Sequence, residues 1–145
     1  MQAPSWTRWK LLLWSVAIYH AVLGVVMLVS GEQALRLIKL LAGMTLTGSQ
    51  EMGIVGEILG CYLIAFALTM AAAALDPVKN RTAVSIGVVL CLLRVAQRVI
   101  FAGKVMEVFQ VPPLHYWLQG GLVLVVGLAL GRLRRQLNRA KQWQY

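Results

Sequence analysis

Residues 83–103, AVSIGVVLCLLRVAQRVIFAG, decide how this chain is read. At a helical rise of about 1.5 Å per residue they reach roughly 31 Å, the thickness of a bilayer's hydrocarbon core. The stretch is apolar enough to cross, yet it carries Arg94, Gln97 and Arg98 well inside. A guanidinium in hydrocarbon is expensive, so each arginine needs a receiving group. Arg94 and Arg98 are four residues apart and share one helix face. That face is expected to point into the protein and away from lipid.

Three more apolar runs surround it, at 11–30, 52–75 and 114–131. The first follows Arg8 and Lys10, with Trp6 and Trp9 beside them. A charged start before an apolar run imitates a secretory signal. This run is too long for a signal core and no A-x-A site follows it, so it reads as a retained spanning helix with tryptophans at the interface. The second opens GIVGEILG, where Gly56-x-x-x-Gly60 would let another backbone approach closely. It ends in alanines and the turn signal Asp76-Pro77. The fourth begins after Pro112-Pro113, has His115, Tyr116 and Trp117 at an interface, and closes on Gly127-x-x-x-Gly131.

Between the first two runs, residues 30–48 are short and charged. Ser30 and Gln33 fit a capping box. Leu35, Leu37, Ile38, Leu40 and Leu41 are interrupted by Arg36 and Lys39, the pattern of an amphipathic helix lying on a membrane surface. Residues 104–113 read as a polar connection. The expected fold is therefore all-α: one integral membrane domain over 1–145, a four-helix bundle with a short surface helix between spans one and two.

Composition agrees, with 59% apolar and 13% charged residues in 145. The net charge of +9 raises the question of nucleic acid. However, nine of the fourteen Lys and Arg fall in 1–10, 76–82 and 132–145, against three in 31–51 and 104–113. That asymmetry places both termini in the cytoplasm, in a bacterium beneath the inner membrane. Anionic lipid headgroups are then the expected counter-ions, and no basic soluble module for nucleic acid is present. The tail residues Arg132, Arg134, Arg135, Arg139 and Lys141 are candidate contacts for headgroups or a partner subunit.

The ionisable residues of the spans gather in the outer half. By helix rise, Glu57 and Arg98 lie roughly 8 Å from the outer ends of their spans. His20, Tyr62 and Arg94 lie roughly 14–15 Å deep. Glu57 is the only acid inside a span and is expected to neutralise one arginine. The other is left for carbonyls, tyrosines, water or an anionic ligand. Glu57, Arg94, Gln97, Arg98, His20, Tyr19 and Tyr62 thus form the candidate site. It reads either as a polar network fixing packing and register, or as an outer-half pocket for a lipid-like, quinone-like or anionic small molecule.

Catalytic equipment is sparse. Glu57 and His20 are the only candidate acid and base, a thin relay for proton conduction and a thin set for an enzyme acting on a bound small molecule. No nucleophile motif or phosphate loop is visible. His20 and His115 differ by roughly 13 Å in depth, which argues against a bis-His haem. No set of three or four zinc ligands converges. Cys61 and Cys91 fall inside spans without a C-x-x-C pairing and read as small buried apolar residues. No cofactor or metal is expected, and no enzyme.

Two stretches, GIVGEILGCYLIAFAL at 53–68 and LLRVAQRVIFAG at 92–103, bear on family. With the short connections and the basic cytoplasmic end, they give residues 15–131 a layout that resembles the small DoxX-like membrane proteins. That resemblance implies a four-helix bundle and an accessory role beside membrane oxidoreductases, without settled catalytic residues. The expected function is a non-enzymatic accessory subunit of a respiratory or photosynthetic membrane complex, bound to other subunits or to copies of itself. The alternative is a binder or carrier using the outer-half pocket.

Overall fold

A computed structural model describes residues 6–29, 36, 39, 40 and 50–142. They form α1 (Trp6–Val29), α2 (Gln50–Leu75), α3 (Arg81–Ile100), α4 (Ala102–Val108) and α5 (Pro113–Gln142). No strand occurs among the described residues. Helices α1, α2, α3 and α5 are each long and apolar enough to cross a membrane. Of the expected surface helix at 30–48, Arg36, Lys39 and Leu40 are helical and exposed; the rest of that segment lies outside the described residues.

Local chemistry explains the breaks. After α2, the Asp76 carboxylate accepts from the backbone N–H groups of Val78 (3.1 Å) and Lys79 (3.0 Å). Asn80 Nδ2 donates back to the carbonyls of Ala72 (2.8 Å) and Asp76 (3.1 Å), which closes the turn into α3. Past α4 the chain turns through Gln110 at φ 51°, buries Val111 and starts α5 at Pro113. Proline suits a helix's first position because its missing N–H would have no partner there. Within the helices, the hydroxyls of Ser15, Thr69 and Ser85 donate to the carbonyl four residues back, so they need no outside acceptor.

The helices pack as two pairs. In the first, α1 crosses α2 backbone against backbone: a Cβ on Gly24 would stand 2.9 Å from the Gly60 carbonyl oxygen and 2.8 Å from Ile64 Cγ1. In the second, α3 lies on α5, and a Cβ on Gly127 would stand 2.9 Å from Cys91 Cβ. The pairs join at one end, here called basal, which holds the start of α1, the 76–80 turn and the end of α5. The shared core there contains Leu13 and Ala17 of α1, Met70 and Ala73 of α2, Val84 of α3, and Leu130 and Leu137 of α5.

Two expectations are corrected. The last helix does not stop at Gly131: it runs unbroken to Gln142, and Leu133 and Leu137 are fully buried in the basal core. Nothing after Gly131 breaks a helix, and Leu130, Leu133 and Leu137 recur at the spacing of one helix face. The basic tail is therefore half core. Second, residues 104–108 belong to a helix, α4, and are not an irregular connection.

Candidate functional site

The candidate residues separate into a fastened arginine and an unpaired one. Arg98, in the last turn of α3, is half-buried and spans to α5. Its Nη1 donates to the Tyr116 carbonyl (2.9 Å) and its Nη2 to Gln119 Oε1 (2.8 Å). The Tyr116 hydroxyl donates back to the Arg98 carbonyl (2.8 Å). The guanidinium carbon sits 4.8 Å from the centre of the Tyr116 ring, within range of a cation–π contact. The side-chain stem passes Gly120, where an added Cβ would be 3.5 Å from Arg98 Cδ. Gln119 Nε2 lies 3.2 Å from His115 Nε2 and extends the network by one residue. A planar fork with several donors suits this double bridge, which a lysine could not span.

Glu57 does not neutralise Arg98. Glu57 is exposed on α2, and among the described residues it has no hydrogen bond or ion pair. An expected common depth does not make two side chains face each other: the Arg98 side chain turns to α5, where it bonds Tyr116 and Gln119. Neutral acceptors on α5 do the work expected of the acid.

Arg94 departs furthest from expectation. It is exposed, not interior, and among the described residues has no hydrogen bond or ion pair. Gln97 is exposed too, as are Tyr62 (70%) and Tyr19 (49%).

His20 is half-buried and occupied by its own surroundings. Its Nδ1 donates to the Val16 carbonyl (2.8 Å), and its ring stands edge-on to Phe66 of α2 and to Tyr19. Cys91 packs on Gly127, whereas Cys61 is exposed, against the expectation that both are buried. Among the described residues no group of three His, Cys, Asp or Glu converges on a metal-sized space.

The basic side chains Arg132, Arg134, Arg135 and Arg139 are all exposed on α5. The side chain of Lys141 lies outside the described residues.

Sequence reasoning assigned Tyr116 to a membrane interface and passed over Gln119. Tyr116 is in fact 2% exposed and the distal anchor of the α3–α5 pair. A signal existed: His115 and Gln119 are four apart, and Tyr116 and Gln119 three apart, at the head of an apolar helix. Polar groups so placed need an acceptor or donor on the neighbour. Gly24 was missed as well, since a single glycine in an apolar run carries no motif. No protein-family model, no curated protein and no solved structure matches this chain.

Proposed function

We propose that this chain is an integral membrane protein, its basal end in the cytoplasm and, in a bacterium, its four long helices in the inner membrane. We propose further that it is a non-enzymatic accessory subunit of a larger membrane complex. The observation that carries this reading is Arg94. It lies about 20 Å along α3 from Arg81, within a helix otherwise suited to hydrocarbon. Exposure to lipid there would cost up to about 3 kcal/mol. A polar group or acid on another subunit, or on a second copy, removes that cost. Glu57 on α2, exposed and without an ion pair among the described residues, supports the same reading. The DoxX-like layout agrees with a role beside a membrane oxidoreductase.

The alternative, a carrier holding a lipid-like or anionic molecule in a distal pocket, has less support. Arg98, one of its two cations, already serves Tyr116 and Gln119.

Purification from native membranes in mild detergent, with mass spectrometry of the intact assembly, tests the proposal. A stoichiometric partner or a defined homo-oligomer is expected, and Arg94→Leu should release it while the chain itself stays folded. Losing one member of a desolvated charge pair typically costs about 2–5 kcal/mol, enough to dissociate the assembly. Recovery of the chain alone, or an assembly indifferent to Arg94→Leu, would overturn it.

A further inference from the structure

Each helix pair carries a lateral groove, and the two differ in chemistry. The groove on α1 and α2 has a volume of about 230 Å³ and no charged residue in its lining. The groove between α3 and α5 is larger, about 360 Å³, with walls that include Leu92, Val95, Leu124 and Leu128. At its basal end the lining changes to Gly131, Arg132 and Arg135. Along α5 the lining from Val123 to Arg135 covers about 18 Å by helix rise. One leaflet of a bilayer's hydrocarbon core is about 15 Å thick.

We propose that this groove binds one anionic phospholipid of the cytoplasmic leaflet. An acyl chain lies along the apolar walls, and the phosphate rests on Arg132 and Arg135. These arginines are three apart, share a helix face and line the groove together. Guanidinium forks match phosphate oxygens two at a time. Gly131 leaves the room a headgroup needs, since an added Cβ there meets nothing within 4 Å. Arg134 and Arg139, equally basic, are not part of the lining. The proposal rests on the membrane placement above but not on the subunit reading.

The full chain, reconstituted into phosphatidylcholine vesicles containing phosphatidylglycerol and then released in mild detergent, should retain phosphatidylglycerol in native mass spectrometry. Retention should exceed that of phosphatidylcholine. An arginine near an anionic headgroup contributes about fivefold, so Arg132→Gln with Arg135→Gln should lower retention on the order of thirtyfold. Arg134→Gln with Arg139→Gln removes the same charge and should change retention by less than about twofold, because the groove is untouched. Gly131→Phe keeps every charge and fills the groove into open space, so it should abolish retention. Leu124→Trp fills the same groove further along its length and decides the matter if Gly131→Phe does not fold. Equal loss in both arginine pairs would reduce the site to a diffuse basic surface and overturn it. So would equal retention of phosphatidylcholine, or full retention in the filled grooves. Failure of the wild-type chain to enter vesicles at all would overturn the membrane placement with it.

Discussion

The two helix pairs are held together by different physics. Helices α1 and α2 meet through two glycines, with each backbone in the other's van der Waals envelope and no side-chain hydrogen bond spanning them among the bonds described above. Helices α3 and α5 meet through glycine contacts, Gly127 at Cys91 and Gly87 at Leu130, and through a polar clamp at Arg98, Tyr116 and Gln119. In hydrocarbon, apolar burial gives helices little reason to associate, so packing and hydrogen bonds must supply it. The first pair relies on close packing, with the His20 ring edge-on to Phe66 beside the glycine contact. The second relies on polar bonds at its distal end, which frees its lateral face to open into a groove. The groove on the clamped pair is the larger, about 360 Å³ against about 230 Å³ on the pair whose backbones touch.

Breaking the glycine contact should have the largest effect. Gly60→Leu places side-chain atoms where the Gly24 carbonyl (2.9 Å from the new Cβ) and Met27 already stand. Overpacking on this scale, against backbone that cannot rotate away, should cost about 3 kcal/mol or more. Denaturant titration in mixed micelles, followed by tryptophan fluorescence, would measure it. A variant as stable as the parent would mean that the crossing is not this close.

The clamp should come next. Interhelical hydrogen bonds in membranes average about 0.6 kcal/mol and reach about 1.7. Arg98→Ala removes two, to the Tyr116 carbonyl and to Gln119 Oε1, so a loss of about 2 kcal/mol is expected by the same titration. Arg98→Lys should recover less than half of it, because one ammonium cannot bridge both acceptors. Tyr116→Phe, which removes only the returning bond, should cost about 1 kcal/mol. Full rescue by lysine would show that charge, not fork geometry, holds the pair.

The smallest effect sharpens the comparison. A Cβ on Gly56 meets nothing within 4 Å, although Gly56 and Gly60 form one motif in the sequence. Gly56→Ala should therefore be neutral or stabilising by up to about 1 kcal/mol, the helix-propensity gain of alanine. A destabilisation approaching that of Gly60→Leu would show that both glycines serve the contact.

Much of the fold was legible because helix rise and bilayer thickness are fixed lengths. The run at 52–75 became Gln50–Leu75, and the stretch at 83–103 became Arg81–Ile100 followed by α4. The tail was misread because charge density was taken to end a span. Five basic residues in 132–145 conceal Leu133 and Leu137, which sit on the opposite face and complete the core. The site was less legible. Depth along a helix follows from counting residues, and counting sets Glu57 and Arg98 at one level. Which way each points around its helix does not follow from counting.

By itself, then, the sequence determined four long apolar helices, their approximate ends, a charge asymmetry across them and the presence of arginines needing partners. Those properties depend on composition and on a fixed rise per residue. Only the tertiary structure decided that Arg98 is received by Tyr116 and Gln119, that Arg94 is exposed, that Gly24 meets Gly60, and that a groove ends on Arg132 and Arg135. Those properties depend on rotation about the helix axis and on which helix is the neighbour. Both are set by the fit of small residues at a few crossings, and no periodicity in one chain segment encodes its partner.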